Sequence, residues 1–329
     1  MPLRDIQLPA DLQPLSEMII QTFQYPENPD WSVQEEEGEF LLDSINNLSR
    51  IWWLLKLAGY FSEVVRDIFC GCIWEEEGKI VGTTIVQRRG GTKVWIVGTV
   101  GVLPEYRRRG IARALVERGL EIIREKGGEK AWLDVIEGNL PARKLYQTLG
   151  FKAYSGHMEL QLLPERVFEP LEIPQGYTQE PLSLYDWKPR FELENRISPE
   201  ALLKYEPVEK KRFQHPPIMR IIIPLIHFAQ GISSKGYLVR DSKGKIVARH
   251  AYSIMRRDKG INEIFVRIDS EHETLAPYSV SFLLNQVTTL KPNLKVQFSV
   301  PLWMETVLNA GRNAGFDTRM TMHRMGIIL

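Results

Sequence analysis

Apolar residues recur along the chain with two spacings, every second position in short runs and every third or fourth position in longer ones, which predict strands and helices. In the first half, the short runs predict strands at about 3–8, 69–74, 79–88, 92–102, 130–136 and 158–163. The longer runs predict helices at about 9–23, within 35–67, from 109 onward and after 139. This order predicts an α+β fold in which helices flank a mixed, mostly antiparallel twisted sheet.

The second half follows the same order after an offset of about 165 residues. The hairpin sequence that begins at Glu77 has a counterpart at Lys243, and Gly150-Phe151 has one at Gly315-Phe316. Strands are predicted at 236–241, 245–256, 260–268, 295–300 and 318–327, and helices at 277–290 and 303–314. A constant offset indicates a duplicated unit. We therefore expect two tandem domains of similar fold, 1–165 and 166–329, joined by a proline-rich stretch.

One turn between a strand and a helix has the chemistry of a phosphate site. The predicted strand at 92–102 is followed by a turn at 104–105 and by a helix that begins near Arg109. Unpaired N–H groups and the positive dipole end at a helix N-terminus attract phosphate. Gly110 and Ala112 would let a diphosphate approach the backbone. Three consecutive arginines add positive charge to the turn: Arg107, Arg108 and Arg109.

A second motif follows the predicted strand at 130–136. Asn139 is of a type that caps helices, Pro141 is tolerated in a first helical turn, and Gly150 stands where a helix C-terminus favours a left-handed residue. Tyr146 lies within this predicted helix between two leucines of its apolar face, so core packing is one interpretation of its ring.

The Arg107-x-x-Gly110-x-Ala112 spacing, read together with the motif from Asn139 to Phe151, resembles the acetyl-CoA site of the GNAT superfamily, the GCN5-related N-acetyltransferases. The resemblance implies that the first domain moves an acetyl group from acetyl-CoA, a cosubstrate, to an amine of a small molecule or peptide by direct attack in a ternary complex. It also implies that the strand before the loop splays from its neighbour and offers its backbone to the cosubstrate. By position, the implied contacts with acetyl-CoA are Val100, Val102, Arg107, Arg108, Arg109, Gly110, Ile111, Ala112, Asn139 and Tyr146.

The same resemblance gives two residues catalytic roles. Tyr146 matches the tyrosine that protonates the CoA sulfur in many relatives, and Asp134 resembles the carboxylate that serves as general base in relatives that acetylate protein N-termini. Glu137 is a competing base, and a water chain without a single base is the third alternative. Asn139 also has the simpler interpretation of a helix cap.

The second domain has the pattern of the fold without the motifs. At the offset of the phosphate loop, the chain reads Glu273-Thr-Leu-Ala-Pro-Tyr278, which brings in an acid and a large ring where the loop needs a base and a small residue. The counterparts of Asn139 and Tyr146 are Met304 and Gly311. We expect this copy to be catalytically silent and to close the acceptor side of the cleft in the first domain.

Composition narrows the class of protein. The chain has 329 residues, of which 43 % are hydrophobic and 25 % charged, and a formal net charge of +1, so no global charge favours nucleic acid or an anionic membrane. No apolar stretch is long enough to span a bilayer. Two cysteines, Cys70 and Cys72, and six scattered histidines lack the spacing of a metal site. We expect a cytoplasmic protein without a metal.

Two other functions fit part of the sequence. A non-catalytic acyl-CoA-binding or regulatory protein would keep the loop but would not need Tyr146. A nucleic-acid surface would use the arginines at 107–109, but no aromatic residues are interleaved with them. For the acceptor, the segment before the strand at 69–74 offers an acidic run at 35–37 and four aromatic residues that line a pocket or pack against the second domain: Trp52, Trp53, Tyr60 and Phe61.

Overall fold

A twelve-stranded sheet passes through both halves of the molecule in the computed structural model, which describes residues 2–60, 62–67, 70–165, 167–183, 185–214, 217–257 and 259–329. The strands are β1 (Leu3–Asp5), β2 (Cys70–Glu76), β3 (Lys79–Arg88), β4 (Val94–Val102), β5 (Lys130–Ile136), β6 (Lys152–Leu162), β7 (Thr178–Leu182), β8 (Ile232–Arg240), β9 (Ile246–Met255), β10 (Asn262–Ile268), β11 (Val296–Pro301) and β12 (Asp317–Ile328). The helices are α1 (Leu12–Thr22), α2 (Glu35–Gly59), α3 (Glu63–Arg66), α4 (Ile111–Glu125), α5 (Leu140–Thr148), α6 (Trp187–Ile197), α7 (Glu200–Leu203), α8 (Lys210–Phe213), α9 (Met219–Gln230), α10 (Ala276–Leu290) and α11 (Glu305–Asn313).

The strand order in the sheet is β1-β2-β3-β4-β5-β12-β6-β11-β10-β9-β8-β7. Neighbouring strands run antiparallel except in two pairs, β4 with β5 and β10 with β11. The predicted fold class, a mixed and mostly antiparallel sheet flanked by helices, is confirmed. The repeat is also visible in the helices, since α10 and α11 follow α4 and α5 at the predicted offset.

The final strand of each half is exchanged with the other half. β12 lies between β5 and β6, and β6 lies between β12 and β11. Asp134 of β5 is therefore opposite Arg324 of β12, which is in turn opposite Ser155 of β6. On the other side of β6, His157 is opposite Pro301 of β11. The two halves therefore share one continuous sheet. The predicted domain boundary at residue 165, which adjoins undescribed residue 166, stays a proposal about where the sequence repeat begins.

The faces of the sheet are covered by different helices in the first half. Cys72 contacts α4 through a hydrogen bond from its thiol to the carbonyl of Leu115, 3.4 Å away, whereas its neighbour Ile73 packs with Leu15 of α1. Adjacent strand residues point to opposite faces, so α4 and α1 lie on opposite sides. Burial raises the pKa of the Cys72 thiol to about 12, which makes it a packing residue at neutral pH.

The element bounds agree best where the predicted periodicity is clean. β3 and β5 have the predicted ends, and α10 begins one residue early. β6 begins at Lys152 rather than near 158. Its first residues, 152–156, are mostly small or polar and show no alternation of apolar and polar positions, so the sequence does not mark the start of this strand. β7 and α6 to α8 lie in a polar and proline-rich sequence that has no clear period, and α9 lies in an apolar run interrupted by Pro224. The sequence pattern therefore predicts none of these five elements. The predicted strand at 69–74 begins at undescribed residue 69.

Candidate active site

A gap opens between β4 and β5 at the centre of the first half. The two strands pair in parallel only from Val94 with Lys130 to Ile96 with Trp132. Beyond Ile96, β4 continues to Val102 while bonded only to β3. The strands therefore separate along the last six residues of β4, as the resemblance implies.

The backbone of Val100 and Val102 faces this gap. The N–H of Leu103 donates to the carbonyl of Val81 in β3, 2.9 Å away. Polar groups alternate in direction along an antiparallel strand, so those of Val100 and Val102 point away from β3. The carbonyl of Val102 is already occupied, because it accepts a hydrogen bond of 3.1 Å from Nε of Arg107. Val100 is thus the better placed of the two predicted backbone contacts.

The N-terminus of α4 lies next to this gap and is open. Gly110 is the N-cap residue with φ +80°, and no side chain caps the helix. A Cβ built on Gly110 would have no atom within 4 Å, so free space lies in front of the first N–H groups of the helix. The side chain of Ile111 is buried in the core, so only the backbone N–H of this residue is available to a ligand. This geometry is suited to a diphosphate.

The three arginines of the loop have different environments. The guanidinium of Arg107 donates to the carbonyls of Val102 and Thr22, and so holds the loop against β4 and α1. Arg109 forms a two-pronged ion pair with Glu76, with distances of 2.8 and 3.2 Å. Arg108 is exposed at φ +64° and has no ion pair among the described residues. Arg108 is therefore the cation most available to a ligand, and Arg107 has a positioning role that the sequence did not reveal.

Asn139 caps the N-terminus of α5, which is the simpler of the two roles that the sequence predicts for it. Its side-chain oxygen accepts a hydrogen bond of 3.3 Å from the N–H of Ala142. The opposite end of α5 closes near Gly150, which has φ +94°. The helix is thereby fixed at both ends, and a contact between Asn139 and a cosubstrate stays a prediction.

Tyr146 is 6 % exposed, and its ring packs edge-on against Phe151 with centroids 6.0 Å apart. Its hydroxyl has no hydrogen-bond partner among the described residues. Burial, and secondarily the nearby Tyr25, raises the pKa of the phenol. A protonated phenol without an internal partner is available as a proton donor.

Asp134 lies on the face of β5 opposite α5 and is held by an arginine from the second half. Its two carboxylate oxygens accept hydrogen bonds of 2.9 and 3.0 Å from Arg324. His157 lies 4.0 Å away. Taking a proton from an amine would require Asp134 to loosen one of these bonds. Glu137 is more exposed and lies 3.3 Å from His323.

The connection between α1 and α2 forms a wall beside the gap. A Cβ on Gly101 of β4 would lie 2.8 Å from Thr22, so the two segments are in close contact. Tyr25 packs edge-on against Trp31, with centroids 5.8 Å apart. The sequence pattern predicts no role for Tyr25, and its only distinguishing feature there is an aromatic side chain just after the first predicted helix.

The aromatic residues of α2 divide between core and surface. Trp52 packs in a cluster with Met219 and Ile222 of α9, which agrees with packing against the second half. Trp53 and Tyr60 are exposed, and Phe61 lies outside the described residues.

The second half has a similar gap without a phosphate loop. β10 and β11 pair only from Asn262 with Val296 to Ile264 with Phe298. Tyr278, in the first turn of α10, is buried and donates a hydrogen bond of 2.8 Å to Gln179. A Cβ built on Gly311 would lie 2.8 Å from the end of the Leu160 side chain, so a side chain there would require Leu160 to move. The described residues at the start of α10 and within α11 therefore offer neither an open glycine like Gly110 nor a phenol in place of Tyr146.

The described residues contain no group of three or more His, Cys, Asp or Glu side chains arranged to hold a metal ion. Their helices are all too short or too polar to cross a membrane.

Comparison with known proteins places these features in a class. Residues 27–151 match the model of the Acetyltransferase (GNAT) family. A glucosamine 6-phosphate N-acetyltransferase from Trypanosoma brucei brucei is 36 % identical over 104 residues, which cover 30 % of this chain and 67 % of that protein. Fold, site and relative together define an acyltransferase of the N-acetyltransferase class. The chain belongs to the GNAT family.

Two solved structures resemble the whole chain. A tandem GNAT protein from the clavulanic acid biosynthesis pathway superposes with a TM-score of 0.62 at 13 % sequence identity. The matched region covers 99 % of this chain and 98 % of that protein. A GCN5-related N-acetyltransferase from Sphaerobacter thermophilus has a TM-score of 0.61 at 16 % identity, with 99 % and 96 % covered. At this identity the likeness concerns the fold, which is that of a tandem GNAT protein.

Proposed function

We propose that the first half transfers an acetyl group from acetyl-CoA to an amine, by direct attack in a ternary complex. The observation that carries the proposal is the open N-terminus of α4 at Gly110 beside the gap between β4 and β5. The N-terminus of α4 suits an anionic diphosphate, and the gap between the strands suits a linear pantetheine arm.

Donor binding would be divided between backbone and side chains. The N–H groups at the start of α4, with Arg108 beside them, would hold the diphosphate. The free polar groups of Val100 would bond the arm, while Arg107 keeps the loop in position through Val102 and Thr22. Ala112 and Asn139 border the same site and remain proposed contacts.

The reaction would form a nitrogen–carbon bond and break the carbon–sulfur bond of the thioester. The departing thiolate needs a proton, and the buried phenol of Tyr146 is the proposed donor. The amine must lose a proton, and Asp134 is the proposed base, with Glu137 or a water chain as alternatives. The acetyl-CoA itself supplies the activated acyl group.

The acceptor would be an amine of a small molecule or peptide. The Trypanosoma relative carries glucosamine 6-phosphate in its name, so an amino sugar phosphate is the first acceptor to assay. The wall from α1 to α2, fixed by Arg319 of the second half, would form the acceptor side of the cleft. The second half would then act as a support that has no donor site of its own.

The first experiment is calorimetric titration of the full-length protein with acetyl-CoA, in parallel with Gly110→Asp and Gly110→Asn. Both side chains tolerate a left-handed backbone and have nearly the same shape, and they differ in charge. We expect one site per chain in the wild type, and binding at least about 100-fold weaker in Gly110→Asp than in Gly110→Asn, since a carboxylate would lie beside the diphosphate.

A non-catalytic acyl-CoA-binding protein would give the same titration without turnover. Release of free CoA in the presence of an amine panel separates the two functions. Absence of binding by folded wild-type protein, or equal binding by both variants, would contradict the proposed donor site.

A further inference from the structure

A cavity lies between the sheet and the segment from α6 to α8, on the face opposite α4 and α5, and both halves contribute to it. It encloses about 80 Å³. Its charged lining consists of four arginines and two glutamates: Arg89, Arg212, Arg267, Arg324, Glu194 and Glu206. We call it the arginine cavity. Its size admits a small ion with a few waters and excludes a nucleotide.

The carboxylates around the arginine cavity are already in use. Glu206 is almost completely buried and pairs with Arg89 and Arg324, and it accepts a hydrogen bond of 2.7 Å from Tyr154. Asp134 is bound by Arg324 on the other side. These contacts leave no carboxylate oxygen of Glu206 free for another cation.

The remaining two arginines are poorly neutralised. Arg267 lies 3.7 Å from Glu194, which is beyond hydrogen-bond distance. Arg212 has no carboxylate within 4.0 Å among the described residues. Four arginines thus face three carboxylates when Asp134 is included, and the excess charge is located at Arg212 and Arg267.

Burial and the excess positive charge both act on the pKa values of the arginines. Burial lowers the pKa of Arg89 to about 9, and repulsion from Arg212 and Arg324 adds to the effect. Burial likewise lowers the pKa of Arg212 and of Arg267. Glu194 partly offsets the shift in each, and repulsion from neighbouring guanidinium groups adds to it. An anion between them would relieve this repulsion.

Two further polar atoms at the arginine cavity also lack a partner. The indole N–H of Trp303 is buried without a hydrogen-bond partner among the described residues, and so is Nδ1 of His157, which donates in one of its tautomers. An indole nitrogen can only donate. A purely structural network of ion pairs would balance its charges and satisfy its donors, and the described network does neither.

We propose that the arginine cavity binds a small oxyanion such as inorganic phosphate, held chiefly by Arg212 and Arg267. Because α6 to α8 and strands of both halves meet at this site, a bound anion would stabilise the junction between them. The inference is independent of acetyl transfer, since phosphate binding is measured without acetyl-CoA.

The test is thermal unfolding of the full-length protein over increasing millimolar phosphate, with ionic strength held constant by sodium chloride. We expect a saturable rise of about 2 °C or more in the unfolding midpoint. In Arg212→Gln, the rise should disappear, while the midpoint without phosphate stays at or above that of the wild type because a half-buried cation without a carboxylate partner is removed. Arg66→Gln, an exposed charge change outside the cavity, should respond as the wild type does.

Calorimetric titration of the wild type with phosphate provides a second measurement that does not depend on any variant, and one site per chain is expected. A wild type without saturable binding, or an Arg212→Gln variant that keeps it, would overturn the proposal. Glucosamine 6-phosphate should not compete with phosphate, because the cavity has no room for a sugar. Competition would refute a free ion and assign the site to the phosphate group of a larger ligand.

Discussion

Arg319 of β12 and Glu37 of α2 are 282 positions apart in sequence and form a two-pronged ion pair. Arg319 is 8 % exposed and also donates hydrogen bonds of 3.1 and 3.0 Å to the carbonyls of Asp30 and Ser32. A single side chain of the second half thus fixes the connection from α1 to α2, which forms one wall of the candidate active site.

This contact predicts a separation of acceptor and donor binding. Arg319→Met should raise KM for the acceptor by about tenfold or more, because it frees the wall, and should leave the Kd for acetyl-CoA within about threefold. Kinetics and calorimetry measure the two quantities. Arg319→Met combined with Glu37→Gln removes the unpaired charge and should recover stability without recovering KM. An equal increase in KM for the acceptor and in Kd for acetyl-CoA would contradict a specific role of Arg319 in the acceptor wall.

Removal of the Tyr146 hydroxyl should affect chemistry and leave binding and folding intact. Tyr146→Phe keeps the contact with Phe151 and deletes a group without an internal partner. We expect kcat to fall by about 10²-fold or more, with the Kd for acetyl-CoA and the unfolding midpoint unchanged. Tyr25→Phe is the matched control and should retain most of kcat. An unchanged kcat in Tyr146→Phe would leave Tyr146 as a core residue.

The proposed base is tested by pH profiles of two variants. Asp134→Asn should lower kcat and remove the acidic limb of the profile if Asp134 accepts the proton, whereas Glu137→Gln should leave the profile in place. Asp134 also pairs with Arg324, so unfolding in urea must be measured alongside. A loss of stability with an unaltered profile would assign Asp134 to structure and return the base to Glu137 or water.

His250 predicts a loss of stability in acid. Its ring is fully buried, contacts Ser279 at 3.2 Å and Gln179 at 2.7 Å, and burial lowers its pKa from 6.5 to about 3. The unfolded chain then binds the proton first, so the contribution of His250 is complete above pH 6.5 and declines as pH falls toward 3. At pH 5 the loss is about 2 kcal/mol. Urea unfolding at pH 7.5 and pH 5 should show this difference, and His250→Gln should lack it.

The exchange of β6 and β12 predicts that neither half folds alone. β5 pairs with β12 over seven positions, so a chain ending at 165 would expose this edge in the middle of the sheet. We expect separate fragments 1–165 and 167–329 to be insoluble or to lack fixed tertiary structure by near-ultraviolet circular dichroism. Co-expressed fragments should form a soluble complex. Cooperative unfolding of 1–165 by itself would show that the exchange is dispensable.

The sequence by itself determined those features that depend on local spacing. The bounds of β3 and β5, the glycine at the start of α4, the cap of α5 and the offset between the two halves all follow from turn chemistry and periodicity within short segments. The family assignment rests on the same local patterns.

Tertiary structure alone decided which distant segments meet. Apolar alternation in β6 and β12 predicts two strands but does not say that each completes the other half's sheet, because strand neighbours are chosen by packing and register across the whole molecule. The exchange places Arg319 beside Glu37 and brings Arg324 to the cavity that Arg89, Arg212 and Arg267 also line. The spacing of charged residues along the sequence does not identify their partners, so only the folded chain shows which charges are paired and which are not.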